Sequence, residues 1–134
     1  MQLFLVRHAE AAQGEPDELR PLTSIGRDQA RRVGESLRKA GVSPCLVLTS
    51  PLLRARETGE LIAREVGADG RVDEALAPGA TAETLQRAVL GVGVCEAVVA
   101  VGHQPDCSRI AAALTGEPKP DFAPAASVEI TLAG

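Results

Sequence analysis

Short apolar runs rich in Val and Leu occupy residues 2–6, 45–49 and 97–101, and each is followed, directly or after a loop, by a helix-like stretch. Parallel strands are apolar on both faces and need crossover connections, so this alternation predicts an α/β domain with a mainly parallel central sheet. Helices are predicted over Ser24–Lys39, 51–66, 82–89 and 106–114. Thr23, Ser50 and Thr81 stand where N-caps belong, Pro51 occupies a first helical position, and Gly41, Gly67, Gly91 and Gly116 act as stops. Residues 127–132 alternate weakly and predict a last strand, at an edge, after the Pro-rich connection 117–124. The Ala/Pro stretch near Phe122 reads as a shaped loop, and no internal repeat is present.

A length of 134 residues fits one domain over residues 1–134. Apolar residues make up 45%, with two Phe and no Trp or Tyr, so the core must be packed from small aliphatic side chains. A chain so poor in aromatic rings, with a formal charge of −4, argues against a nucleic-acid binder. Any anion site must be local. The opening MQLFLVRHAEAA has too short an apolar run for a secretory signal, and no stretch reaches bilayer length, which predicts a soluble cytoplasmic protein without a membrane partner. Cys45, Cys95 and Cys107 are odd in number and lack metal-ligand spacing, so all three read as buried packing residues in a reducing compartment.

Placed on this scaffold, the charged residues form a pattern. Arg7 and His8 follow the first strand, Arg54 lies in the first turn after the second, and His103 follows a later one. All four face the carboxyl edge of the sheet, where open α/β sheets bind ligands. Two guanidinium forks and an imidazole match the oxygens of a phosphoryl group. Like-charge repulsion from the flanking Arg keeps His8 neutral, the state a nucleophile requires. Taken singly, a His after a strand is as readily a loop or core residue, and Arg54 a solvated one; the four together predict a phosphate site. The two His lack a short-range ligand motif and a carboxylate cluster, so neither metal nor cofactor is expected.

Four ordered blocks, LVRHAEA at 5–11, PLTSIGRDQA at 21–30, SPLLRARET at 50–58 and VGHQP at 101–105, resemble the histidine phosphatase superfamily and, within it, the short SixA-type phosphohistidine phosphatases. The resemblance implies a phosphoglycerate mutase-like fold, a three-layer α/β/α sandwich. It further implies that His8 becomes phosphorylated, that Arg7 and Arg54 bind phosphate oxygens, and that His103 completes the pocket. Arg20, in the RPLT segment, is a candidate for the rim as well as for a structural surface role. Thr23 and Gly26 match the LTxxG element, read as a helix start, and Thr58 is expected to pack one turn below Arg54.

Larger members of that family carry a proton-donating acid in mid-chain; the comparable stretch here, VDEALAPGA, offers Pro78. Asp73 and Glu74 are nearby and read as solvated loop acids, so the acid stays unassigned. An imidazole leaving group can carry its own proton near neutral pH, whereas an alkoxide benefits strongly from protonation. The expected activity is therefore removal of phosphate from a phosphohistidine-bearing protein, such as a phosphotransfer or signalling domain, with inorganic phosphate as product. A phosphatase for small phosphate esters and a non-catalytic phosphate-binding module are the alternatives, while a mutase is disfavoured by the missing acid.

Overall fold

The computed structural model describes residues 1–118 and 120–132. Strands β1 (Gln2–Arg7), β2 (Leu46–Thr49), β3 (Asp69–Val72), β4 (Ala97–Gly102) and β5 (Ser127–Thr131) form one sheet in the order β3-β2-β4-β1-β5. β1, β4, β2 and β3 are parallel, and β5 closes one edge antiparallel to β1. Helices α1 (Ser24–Lys39), α2 (Leu53–Val66), α3 (Ala82–Leu90) and α4 (Asp106–Thr115) cover the two faces, and 3-10 turns lie at Asp17–Leu19 and Glu74–Leu76.

The period-two geometry of the strands divides the core. Phe4 and Val6, Val47, and Val99 and Val101 point to one face, against Leu37 of α1 and Ala55, Ile62 and Ala63 of α2. Leu3 and Leu5, Leu48, and Val98 and Ala100 point to the other, against Leu85 and Val89 of α3 and Ile110 and Ala111 of α4. Continuous apolar strands thus become a three-layer α/β/α sandwich, as expected from the sequence.

Several local expectations are corrected. Ser50 does not cap α2 and Pro51 is not its first residue: the helix starts at Leu53 after Leu52, and the Ser50 hydroxyl instead accepts from Leu52 N–H at 3.2 Å and bonds the His103 ring. Strand β3 went unforeseen because its sequence DGRV is exposed throughout and is held to β2 through the backbone, so no hydrophobic pattern marks it. Of the three cysteines only Cys107 is a buried thiol, its pKa pushed up to about 12 by burial. Cys45 and Cys95 are a disulfide, with Cα atoms 6.3 Å apart at a sequence separation of 50. They stand just before β2 and β4, which pair side by side, and this tertiary neighbourhood is invisible in sequence spacing. Both lie at the amino end of the sheet.

Thr23 and Thr81 do cap their helices, accepting from Gly26 N–H at 3.0 Å and Thr84 N–H at 3.2 Å. Gly26 is buried in the first turn of α1, and a Cβ there would overlap the Glu10 carbonyl, which accepts from Thr23 N–H at 3.0 Å. The glycine therefore lets α1 press against the loop that follows His8. Gly26→Ala is expected to lower stability to urea by about 1–3 kcal/mol, the usual cost of overpacking; an unchanged midpoint would mean that this contact gives way freely.

Candidate active site

β1 and β4 pair with Arg7 opposite Gly102, and His8 N–H extends the ladder by donating to the Gly102 carbonyl at 2.9 Å. His103 is the residue that follows Gly102 at the end of the neighbouring strand β4. The two imidazole rings therefore meet at the carboxyl edge, with centroids 5.3 Å apart. Ser50 N–H donates to the Val101 carbonyl at 3.1 Å and puts its hydroxyl 2.7 Å from His103 Nε2. Arg54 arrives from the first turn of α2, 8% exposed, and His103 is 5% exposed.

Thr58 ties these parts together. Its hydroxyl accepts from Ala9 N–H at 3.0 Å and donates to the Arg54 carbonyl at 2.7 Å, so one buried side chain fixes both the residue after His8 and the turn that carries Arg54. On the other side, the loop near Phe122 closes on β1. Ala125 N–H serves the carbonyls of Arg7 and His8, and Arg7 Nη1 donates to the Phe122 carbonyl at 2.9 Å. Ala125 adopts φ 64°, which costs a side-chain-bearing residue about 1–2 kcal/mol.

His8 Nδ1 lies 2.7 Å from the Ala9 carbonyl. A carbonyl can only accept, so Nδ1 carries the proton and Nε2 keeps its lone pair. Burial lowers the His8 pKa to about 4, the Ala9 bond opposes this, and the Arg54, Arg7 and Arg20 charges lower it further. The repulsion expected from the sequence exists, but burial is the larger cause. His103 is likewise lowered to about 4, by burial first and then by the His8 ring and Arg54. Both rings are neutral at pH 7. Among the described residues the buried side-chain nitrogens without a partner are Arg7 Nε, His103 Nδ1 and Arg56 Nε, so two of the three belong to this cluster. Arg7 Nε is an unspent donor, and His103 Nδ1 is one in the tautomer whose Nε2 accepts from the Ser50 hydroxyl; both then suit an anion rich in acceptor oxygens.

Arg7, His8, Arg54 and His103 are thus brought together as the sequence predicts. Arg20 lies near enough for its charge to be felt at His8, and its side chain is held structurally: its Nε donates to the Ala12 carbonyl at 2.7 Å and its Nη1 reaches Asp17 Oδ1 at 3.0 Å. Asp73 does not join: its carboxylate accepts from Ala75 N–H at 2.9 Å and caps the 3-10 turn Glu74–Leu76, and Glu74 is exposed. Three contacts lie beyond the sequence reading, one at a residue it did not single out and two at residues it gave other roles. Asp17 bonds both Arg20 and Arg54, Ser50 holds the His103 ring, and Thr58 does more than pack. Asp17 had a signal, a carboxylate three residues before an Arg; the other two depend on contacts distant in sequence.

The family model for the histidine phosphatase superfamily (branch 1) matches residues 3–78. The chain belongs to that superfamily. An uncharacterized protein of Picosynechococcus sp. is 38% identical over 122 residues, 85% of this chain and 73% of its own. A probable phosphoglycerate mutase GpmB of Citrobacter koseri is 39% identical over 83 residues, where this histidine phosphatase spans 37% of the relative's length. Among solved structures, the protein histidine phosphatase SixA complexed with tungstate superposes with a TM-score of 0.91 at 30% identity, covering 98% of this chain and 88% of that one. A protein of Agrobacterium tumefaciens named as a candidate phosphohistidine phosphatase SixA gives 0.83 at 25%, covering 96% and 88%. Family and neighbours together make this chain a phosphatase, a hydrolase of phosphoryl groups.

With only two His in the chain, their titration can be read directly by NMR. Both rings should titrate near the lowered value of about 4 and not near 6.5. The unfolded chain then binds more protons than the folded one between these values, so stability should fall as the pH drops through that window. A ring titrating at 6 to 7 would show that its site does not exclude the imidazolium.

Proposed function

We propose that this histidine phosphatase hydrolyses phosphohistidine on another protein, carrying the phosphoryl group on His8 between two in-line transfers. The observation that carries this reading is the neutral His8 ring, its proton held on Nδ1 by the Ala9 carbonyl and its Nε2 lone pair free beside two guanidinium groups. In the first step Nε2 attacks phosphorus and the bond to the leaving group breaks on the opposite side. Arg7, Arg54 and an N–H of His103 hold the equatorial oxygens. In the second step water attacks the phosphorus, the bond to Nε2 breaks, and the ring returns to its neutral form as inorganic phosphate departs. No metal or cofactor takes part in this scheme, since the site supplies its own cations.

The carboxylates near the comparable mid-chain segment argue for a leaving group that needs no acid. Asp73 is spent on its cap, Glu74 is exposed, and buried Asp106 accepts from Gly79 N–H at 2.8 Å and so ties down the loop after Pro78. A phosphorylated imidazole brings its own proton. The likeness to the SixA protein histidine phosphatase supports the same substrate class. A phosphotransfer or signalling domain is the partner this chemistry fits, with no role for nucleic acid or a membrane; a cytoplasmic location belongs to this proposal but takes no support from the cysteines, since Cys45 and Cys95 are a disulfide. Among the described residues no helix is long and apolar enough to cross a bilayer.

The test sets a phosphohistidine domain beside phosphate esters of graded leaving-group acidity. Without a general acid the ester rates should rise steeply as the alcohol becomes more acidic. The phosphohistidine domain should exceed a simple alkyl phosphate in kcat/KM by roughly two orders of magnitude or more, the usual worth of general acid catalysis. A flat dependence, with alkyl esters as good as phosphohistidine, would overturn the reading in favour of a small-ester phosphatase with its own acid.

A further inference from the structure

Asp17 is an unusual neighbour for a phosphate site. It opens the 3-10 turn that lies over the start of α2, and its carboxylate sits between two cations: Oδ1 is 3.0 Å from Arg20 Nη1 and Oδ2 is 3.3 Å from Arg54 Nη2. Its own carbonyl accepts from Arg54 Nη1 at 2.9 Å. The side chain is 55% exposed, whereas that of Arg54 is only 10% exposed, so the carboxylate lies on the solvent side of the guanidinium. Its charge reaches inward as far as His103. Each oxygen spends one bond and keeps acceptor capacity to spare. Beyond anchoring Arg54, a fixed anion at the mouth of a cationic pocket weakens binding of a phosphate dianion.

Attack by His8 Nε2 sends the leaving group away from His8, and a side chain borne on another protein must enter and leave on the solvent side. We propose that Asp17 recognises the leaving group: its carboxylate accepts a hydrogen bond from the distal N–H of the substrate's phosphorylated imidazole and keeps that ring protonated while the N–P bond breaks. As His8 Nε2 forms its bond to phosphorus, the electron pair of the broken bond returns to the departing nitrogen. The ring leaves as neutral imidazole with the proton it brought, and Asp17 stays ionised throughout. This differs from a general acid, which the Arg20 bond rules out by holding the Asp17 pKa below the usual carboxylate range. The charged groups facing the carboxylate are Arg20, after its own turn, and Arg54, from α2; His103, at the end of β4, feels its charge. The inference rests on the phosphohistidine reading and makes it specific, since the same anion repels a departing phenolate or alkoxide.

The test is Asp17→Asn, which keeps the shape and removes the charge, assayed on a phosphohistidine domain and on an activated aryl phosphate. An opposite charge in hydrogen-bond reach raises a titrating group by about one unit or more, so kcat/KM for phosphohistidine should fall about tenfold above neutral pH. The alkaline limb of its pH profile should move down by about one unit on the same basis. Activity on the aryl phosphate should rise. Equal losses on both substrates with an unmoved pH profile would show that Asp17 only positions Arg54, and would overturn the inference alone. A wild-type enzyme with no preference for phosphohistidine would remove the substrate reading and this inference with it.

Discussion

Parallel pairing of β1 with β4, and of β4 with β2, is the constraint on which the site depends. With Arg7 opposite Gly102 and Thr49 opposite Val101, the residues that follow each strand, His8, His103 and Ser50, emerge at one edge. A shift of one residue in either pairing would turn every side chain of a strand to the other face. The two-sided core forbids this, because Leu3 and Leu5 pack towards α3 and α4 while Phe4 and Val6 pack towards α1 and α2. Core packing thus sets the distance between two imidazoles that no direct bond holds together.

Burial then does the electrical work. It holds both rings neutral, more than the neighbouring Arg charges do, and the Ala9 carbonyl chooses which nitrogen of His8 stays bare. Cations and neutral rings coexist here because the guanidinium groups of Arg54 and Arg7 are anchored by Asp17 and by the Phe122 carbonyl. The Cys45–Cys95 disulfide clasps the opposite end of the same strands, so it bears on how the sheet is held and not on the chemistry.

What was legible in the sequence follows the same physics. β1, β2 and β4 were visible because strands buried on both faces are written as unbroken Val and Leu runs, and Arg7, His8 and His103 stand directly after such runs. β3 left no mark, since backbone pairing alone holds its exposed residues. The bonds of Asp17 to Arg54, Ala9 to Thr58 and Ser50 to His103 span 37, 49 and 53 residues, and these pairs exist only once the chain has folded. For the same reason Ser50 reads as a helix cap in the sequence, although the fold turns its hydroxyl to the imidazole.

In the proposed reaction the bare Nε2 of His8 takes the phosphoryl group. Rapid quench of the enzyme during turnover of a labelled phosphohistidine protein tests it most directly. The expected phosphoenzyme is lost in acid, survives alkali, maps to His8 and fails to form in His8→Ala. A label that survives acid and is lost in alkali would be an acyl phosphate on a carboxylate, and would contradict it.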